Sequence, residues 1–314
     1  MVKQIVKYEE SKDAIVTIAI GETYLKRWEI YAKPSWELYC KKYNLNLFVV
    51  TEDLISQEHK KWKKATWQKL LIGEIIKNYG FNIDNICYLD TDILISPKAR
   101  NIFDNYDKRN YGLVSKVKDL PFHLNTTLKK IAYFRNLHYD DDYPLDSALF
   151  MNLNQIYEFS KLSPKDNYAC AGVIVFNVDN HYEEMKSWFM KYDVNTVSIT
   201  DGDQTHINWE IQNTNRVSWI DYEFQALWLF EMASKYSFLY DKKTCSEENI
   251  KNSIRASLMS VDFLHFAGSW PESNMWLTED IISNSFIKLS NNFDKYDKIP
   301  IYGKSKGRIV PKTK

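Results

Sequence analysis

The chain has 314 residues, 45% of them hydrophobic and 26% charged, and its 41 basic side chains balance its 41 acidic ones. This composition predicts a globular protein with a sizeable core and no transmembrane segment, because no stretch approaches ~18 consecutive apolar residues. A net charge of zero argues against a nucleic-acid partner, and nothing beyond the Lys-rich segment 304–314 suggests a basic footprint. Residues 1–11 are charged and lack the apolar core of a signal peptide, so we expect a cytoplasmic protein.

The first half of the chain alternates apolar runs with helical patterns, which indicates a βαβαβ order and a parallel sheet. The predicted elements are a strand at 14–21, a helix at 24–43 that restarts at Pro34, a strand at 46–51, a helix at 65–79 and a strand at 85–94. Ligands of such sheets bind beyond the carboxyl ends of the strands. The last of these strands brings Asp90 and Asp92 to that edge.

The second half begins with an irregular pattern over 117–166, which we interpret as a loop or small helical insertion near a site. Its acidic run, Asp140 to Asp142, is more simply interpreted as solvated surface, as acidic runs usually are. The later predicted elements are a strand at 169–178, a helix at 180–192 and a strand at 261–267. We expect one domain over residues 1–290 and a C-terminal extension over 291–314.

The most informative motif is the pair Asp90 and Asp92, which interrupts an apolar strand pattern. A buried carboxylate costs several kcal/mol unless a cation or strong hydrogen bonds compensate it, so a divalent ion is the simplest partner. A haloacid-dehalogenase phosphatase also carries Asp-x-Asp, but there a small residue and then Thr or Val follow, whereas this chain has Ile93 and Leu94. Sugar-nucleotide pyrophosphorylases have a Gly-rich first loop, and the first strand here ends in the single Gly21. A purely structural pair at a strand end stays open.

A third ligand for such an ion is His265, which closes an apolar strand just before the turn at Gly268. Neutral imidazole joins carboxylates readily around Mn²⁺ or Mg²⁺. Three protein ligands leave positions for the two phosphates of a nucleoside diphosphate. Without the carboxylate pair, the simpler interpretation of His265 would be a core histidine whose ring nitrogens are hydrogen-bonded within the protein.

Two further clusters combine small or polar residues with a predicted element boundary. The segment Cys170-Ala171-Gly172 starts a buried strand, where small side chains allow either close approach of a ligand to the backbone or tight packing of a helix. In the segment 201–208, polar groups begin a predicted helix, and on spacing alone Asp203 is its N-cap.

Taken in chain order, these clusters resemble the retaining glycosyltransferases of the GT-A fold, especially family 8, the group of glycogenin and the bacterial lipopolysaccharide galactosyltransferases. The resemblance covers roughly Ala14 to Trp270. It implies a single α/β domain of Rossmann-like type, with a mixed, mainly parallel sheet flanked by helices and an acceptor-side insertion at 117–166. It also implies a hexosyltransferase that depends on Mn²⁺ or Mg²⁺ and moves a sugar from a UDP-sugar to a glycan or other hydroxyl acceptor with retention.

The same resemblance assigns roles to individual residues. Asp90 and Asp92 match the metal-binding DxD motif, and His265 matches the histidine of the late HxxG motif that completes the metal site. Asp203 and Gln204 match an Asp-Gln pair beside the anomeric carbon, which makes them the catalytic candidates. The implied contacts to the nucleotide sugar are Thr17, Ala19, Tyr24, Lys69, Asp90, Thr91, Ala171, Gly172 and Gly268.

The chain departs from the family pattern at two places. Cys170 stands where the family has Asn, which removes an amide donor beside the sugar. No Lys follows Gly268 in the late motif, so another cation substitutes for it or phosphate binding is weaker. The GT-A family 34 type and a catalytically inactive sugar-nucleotide or glycan-binding module therefore stay open as alternatives.

Overall fold

The structure is a computed structural model. It describes residues 1–104, 106–139, 148–198, 202–293, 302–305 and 308–311. The acidic run 140–142 and Asp201 lie outside the described residues, as does most of the predicted C-terminal extension. No described helix combines the length and the apolar character that a bilayer span requires.

The first half of the chain supplies the strands and helices that the sequence places there, plus an N-terminal strand. In chain order they are β1 (Val2–Val6), β2 (Asp13–Ile18), α1 (Glu22–Arg27), α2 (Lys33–Tyr43), β3 (Asn46–Val50), α3 (Ala65–Gln68), α4 (Ile72–Asn78), β4 (Asn85–Leu89), β5 (Ile93–Ile95) and β6 (Tyr111–Ser115). A π-helical turn over Trp28–Ala32 joins α1 to α2, and Pro34 lies in the first turn of α2, as the predicted restart requires.

The second half is richer in helix. Its elements are α5 (Leu124–His138), α6 (Leu153–Phe159), β7 (Ala169–Asn177), α7 (Val178–Lys191), α8 (Gln204–Asn213), β8 (Val217–Ile220), β9 (Ala226–Leu227), α9 (Trp228–Lys235), α10 (Glu247–Leu258), β10 (Phe263–His265), α11 (Asn284–Phe293), β11 (Tyr302–Ser305) and β12 (Arg308–Pro311).

A seven-stranded sheet organises the fold, in the order β1-β3-β2-β4-β7-β6-β8. The pairs β2–β3, β2–β4 and β6–β8 are parallel, whereas β1 and β7 run antiparallel to their neighbours. Five of the seven strands therefore point the same way, and the prediction of a mixed, mainly parallel sheet flanked by helices is confirmed. A second sheet has three short strands, in the order β5-β10-β9.

Alternate residues of the central strands belong to two different buried clusters, one on each face of the large sheet. On β4, Cys87 and Leu89 face a core shared with α2, α9, α10 and the small sheet, whereas Ile86 and Tyr88 face a core shared with α4, α7 and α8. Helix α2 also secures β5, because the Trp36 indole donates to the carbonyl of Ile93 (2.8 Å). The small sheet is thereby fixed against the end of the large one.

One prediction about elements is wrong. The single strand expected at 85–94 is two strands in different sheets, and Asp90 and Asp92 lie in the connection between them rather than inside a buried strand. Two partly exposed carboxylates are tolerated there because the chain leaves the sheet at that point. The segment 117–166, interpreted as a loop or small helical insertion, contains the helices α5 and α6. Apolar residues of α5, Leu124, Leu128, Ile131 and Phe134, are spaced by three or four and pack against the core.

Candidate functional site

The connection between β4 and β5 carries the two aspartates and is held by two backbone hydrogen bonds. The Asp90 amide donates to the carbonyl of Gly172 at the start of β7 (2.9 Å). The Phe266 amide, just after β10, donates to the carbonyl of Asp92 (3.0 Å). Each carboxylate is thus fixed beside a strand from a distant part of the sequence, one in each sheet.

His265 meets both aspartates because β10 pairs with β5, with His265 opposite Ile93. Its Nε2 lies 3.2 Å from Oδ1 of Asp92 and 3.8 Å from Oδ2 of Asp90. The imidazole is 1% exposed, whereas the side chains of Asp90 and Asp92 are 32% and 25% exposed. The structure therefore brings the three predicted metal ligands together, with one ligand atom of each within 4.8 Å of the others.

Gly172 is the reason that the imidazole fits. A Cβ at this position would lie 2.3 Å from Cε1 of His265 and 2.9 Å from Oδ2 of Asp90. Real Cβ atoms do not approach other heavy atoms so closely, so any other residue would displace the ring or the carboxylate. The small residue at 172 therefore makes room for the imidazole of His265 and the carboxylate of Asp90, whereas the expected approach of a ligand to this segment stays a prediction.

Lys69 lies beneath the acidic cluster rather than in open space. Its ammonium donates to the carbonyl of Ala171 (2.9 Å) and lies 3.2 Å from Oδ2 of Asp203 and 3.5 Å from Oδ1 of Asp90. Burial by itself lowers the pKa of Lys69, but Asp203 and Asp90 outweigh burial and the net pKa is raised. Lys69 therefore stays charged and joins two carboxylates.

The two carboxyls that share Lys69 have pKa values that move in opposite directions. Burial raises the pKa of Asp90, but Lys69 and then His265 overcome that effect, so its net pKa is lowered. Tyr88 helps by donating to Oδ1 of Asp90 (2.6 Å). For Asp203 burial is the larger effect and the pKa is raised. Carboxyls with such divergent environments are typical of functional sites.

Asp203 and Gln204 stand at the first turn of α8. Asp203 occupies the N-cap position but makes no side-chain capping hydrogen bond, because its carboxylate pairs with Lys69. The Gln204 side chain accepts from the amide of Ala171 (3.2 Å) and donates to the hydroxyl of Tyr168 (3.2 Å). The side chains of Asp203 and Gln204 are thus held in place by Lys69, Ala171 and Tyr168, which lie around the same site.

A cleft of about 350 Å³ opens over this cluster. Acidic, basic, aromatic and small residues line it: Lys64, Thr66, Asp90, Asp92, Lys116, Ala148, Ile156, Tyr168, Cys170, Gly202, Asp203, Gln204, Thr205, His265, Ala267 and Gly268. The Lys116 ammonium lies 4.6 Å from the centre of the Tyr168 ring, and no carboxylate of the described residues pairs with it. Burial lowers the pKa of Lys116.

Of the nine predicted contacts to the nucleotide sugar, only Asp90 and Gly268 line this cleft, and Lys69, Ala171 and Gly172 lie beneath or beside it. The other four do not line it either. The Thr17 hydroxyl donates to the carbonyl of Leu89 (2.7 Å), so it supports the strand that leads to Asp90. Ala19 is buried and Thr91 is partly buried. Tyr24 lies on α1 and is 61% exposed, with its ring free to meet a ligand from solvent.

Sequence reasoning missed three side chains at the site. Tyr88 is adjacent to the acidic motif, and a tyrosine in an otherwise aliphatic strand was the available signal. Lys116 and Gln225 carry no comparable signal, because each reaches the site only through strand pairing between distant segments. The amide nitrogen of Gln225 lies 3.1 Å from Nδ1 of His265.

The donor set suits a hard divalent cation. Two carboxylates and one imidazole are common ligands of Mn²⁺ and Mg²⁺. Asp92 Oδ1 is buried and has no hydrogen bond of good geometry with any described residue. Burial by itself lowers the pKa of His265, but Asp92 and then Cys170 outweigh burial and the net pKa is raised, in keeping with the negative charge of the two carboxylates.

No family model matches the sequence, and no curated protein matches it. Several solved structures are similar in fold. A glycosyltransferase involved in glycosylation of the major capsid of PBCV-1 has 12% identity and a TM-score of 0.46, over 84% of this chain and 97% of that one. The bifunctional glycosyltransferase WbbM has 13% identity and a TM-score of 0.49, over 92% of this chain and 52% of that one.

The galactosyltransferase LgtC, solved with donor and acceptor sugar analogues, has 14% identity and a TM-score of 0.43, over 89% of this chain and 95% of that one. At these identities the likeness concerns the fold. All three of these solved proteins are glycosyltransferases.

Proposed function

We propose that this chain is a glycosyltransferase that uses a divalent cation and transfers a sugar from a nucleotide sugar, a UDP-sugar, to a hydroxyl acceptor with retention. The observation that carries the proposal is the convergence of Asp90, Asp92 and His265 at the floor of a cleft that also holds Asp203 and Gln204. These residues come from three separate segments, so their meeting is not explained by one structural motif.

The three ligands would hold Mn²⁺ or Mg²⁺ at the floor of the cleft. An ion bound there would neutralise the charge that develops on a departing diphosphate. The protein itself supplies the rigidity of the site, since Gly172 admits the imidazole and Lys69 holds Asp90 from below.

Asp203 and Gln204 are proposed to face the anomeric centre. The Gln204 amide is oriented by Ala171 and Tyr168, which leaves its position defined before a sugar binds. Asp203, held by Lys69, would orient sugar hydroxyls. Fixed polar groups that stabilise developing charge need no reorganisation during the reaction.

The remaining donor contacts are proposed from the resemblance. Thr91 and Gly268 flank the ligands, and Ala171 and Gly172 border the sugar. The exposed ring of Tyr24 offers a face for stacking of the base. Thr17 and Ala19 are proposed to border the base from the end of β2.

Lys116 is proposed to bind an anionic group of the substrate. Lys116 is partly withdrawn from water and has no carboxylate partner among the described residues, so an anion that enters beside it would be stabilised by its charge. Lys116 lines the cleft with Asp203 and Gln204, so it could supply the positive charge that the late motif lacks after Gly268.

The proposal is tested by incubating the purified chain with a panel of nucleotide sugars and Mn²⁺ and measuring release of free sugar and nucleoside diphosphate. We expect hydrolysis of at least one UDP-sugar that stops when the metal is chelated. Asp92→Ala should lose this activity by about 1,000-fold, because a displaced cation forfeits several kcal/mol of charge stabilisation. Asp179→Asn, which alters a carboxylate that is 73% exposed, is the matched control and should retain it.

Tight binding of UDP without turnover of any donor would contradict the transferase and favour the inactive binding module. That alternative is prompted by Cys170, whose thiol lies 3.7 Å from Nδ1 of His265 where the family has an amide. Absence of both UDP binding and turnover in the folded protein would refute both.

A further inference from the structure

We propose that Gln225 is a positioning residue that keeps the imidazole proton of His265 on Nδ1, so that Nε2 is available to a divalent cation. This inference rests on the proposed metal-dependent function. It adds a residue that none of the sequence motifs includes.

The His265 ring has two different sides. Nε2 faces the carboxylates, at 3.2 Å from Asp92 and 3.8 Å from Asp90. Nδ1 faces away from them, at 3.1 Å from the side-chain amide nitrogen of Gln225 and 3.7 Å from the thiol sulfur of Cys170. A cation shared with the carboxylates can therefore be reached only through Nε2.

A histidine that ligates through Nε2 offers the lone pair of that atom and carries its proton on Nδ1. The N–H group on Nδ1 then needs an acceptor, because His265 is 1% exposed and an unpaired buried donor is costly. In metal sites, such an acceptor fixes both the tautomer and the orientation of the ring.

The Gln225 amide can be that acceptor. It is 2% exposed, and its Oε1 is buried without a hydrogen-bond partner among the described residues. A side-chain amide carries a donor on one side and an acceptor on the other, and a half-turn about the Cγ–Cδ bond exchanges them. That rotation brings the unsatisfied oxygen to Nδ1. The thiol of Cys170 is a weaker acceptor at a longer distance.

The backbone holds Gln225 in this position. Gln225 ends a 3₁₀ turn, Tyr222–Gln225, and directly precedes β9, which pairs in parallel with β10 so that Leu227 lies opposite His265. The amide of Asp262 donates to the carbonyl of Glu223 (2.9 Å) and ties the same turn to the start of β10. Gln225 and His265 are therefore parts of one rigid unit.

The test measures Mn²⁺ affinity of the full chain, by titration calorimetry or electron paramagnetic resonance, for the wild type, Gln225→Leu and Gln225→Glu. We expect Gln225→Leu to weaken binding by roughly 10- to 100-fold, as loss of an outer-shell partner does in other metal sites. Gln225→Glu should restore affinity to within about 3-fold of the wild type, because a carboxylate accepts from Nδ1. Gln212→Leu is the matched control, since that amide contacts Tyr157 and Asn167 and not the site.

A second measurement does not depend on the variants folding. ¹⁵N correlation spectra of the wild type with Mg²⁺ should show His265 with its proton on Nδ1. The inference is overturned if the proton is on Nε2, or if folded Gln225→Leu binds Mn²⁺ as tightly as the wild type. If the folded wild type binds no Mn²⁺ at all, the proposed function itself fails, which is a distinct result.

Discussion

The molecule contains two buried charge clusters that differ in whether they open to the cleft. Arg135 on α5 donates to Glu272 (2.8 Å), and both side chains are fully buried, with the guanidinium 4.1 Å from the centre of the Trp270 ring. The cluster of Asp90, Asp92 and His265 instead opens to a cleft and keeps a buried carboxylate oxygen without a hydrogen bond from the described residues. Glu272 also keeps a buried oxygen, Oε2, without a hydrogen bond from the described residues, so the difference between the clusters is access: Asp90, Asp92 and His265 line a cleft from which a cation can enter, whereas Arg135 and Glu272 do not line that cleft.

The largest expected effect comes from making the same acid-to-amide change in each cluster. Glu272→Gln should lower the free energy of unfolding by about 3–5 kcal/mol, because it removes the carboxylate that balances a buried guanidinium. Asp92→Asn should change it by less than about 1 kcal/mol, because Asp92 is partly exposed and borders other acids. Urea denaturation of both variants measures this difference. Equal losses would show that the acidic cluster is structural.

A second prediction concerns Lys116, which lines the cleft and has no carboxylate partner among the described residues. Lys116→Met should weaken UDP binding by roughly 10-fold, since a charge-assisted hydrogen bond contributes about 1.5–3 kcal/mol, while binding of uridine stays unchanged. Calorimetric titration of both ligands checks this. Lys118→Met is the control, because Lys118 is exposed and lies outside this cleft. Unchanged UDP affinity in Lys116→Met would show that a cation other than Lys116 binds the diphosphate.

The geometry of the cluster of Asp90, Asp92 and His265 can be altered without changing any charge. Gly172→Ala should weaken Mn²⁺ binding by roughly 10-fold, because the new methyl group would lie 2.3 Å from Cε1 of His265 and must push the ring aside. Gly73→Ala is the matched control. Its methyl group would lie 2.7 Å from Cβ of Tyr182, so it should cost stability but leave Mn²⁺ affinity intact. Loss of Mn²⁺ affinity in both variants would show that the site responds to a general loss of stability and not to the position of the imidazole.

The smallest effect is expected at a buried group that balances no charge. His206 is 2% exposed, and burial lowers its pKa to about 4. The unfolded chain takes up the proton near the ordinary value of 6.5, so stability present above that pH is lost as pH falls towards 4. His206→Phe should remove a loss on the order of 1 kcal/mol over this window. Thermal unfolding at several pH values measures it, with exposed His123→Phe as control, and an unaltered pH profile would contradict it.

The sequence predicts the strands of the front half well because buried parallel strands are continuous apolar runs between turn residues. It also identifies Asp90, Asp92 and His265, whose chemistry is unusual in apolar surroundings. It does not reveal that the chain changes sheets between Leu89 and Ile93, since both halves of that run are equally apolar.

What the sequence hides depends on contacts between distant segments. Lys69 was expected to contact the nucleotide sugar, and only its contacts with Asp90, Ala171 and Asp203 show that it lies below the acids. The Arg135–Glu272 cluster was equally hidden, because the sequence gives no sign that Arg135 is buried until Glu272 is placed beside it.

The division of the site between two sheets has a consequence for how the protein unfolds. Asp90 is fixed to the large sheet through Gly172, whereas His265 belongs to the small one. An ion that binds all three ligands adds a crosslink between the sheets, and its binding free energy is available only when both are folded. The melting temperature should therefore rise with Mn²⁺ concentration, and amide hydrogens of β5 and β10 should exchange at the same rate as those of β4 once the ion is bound.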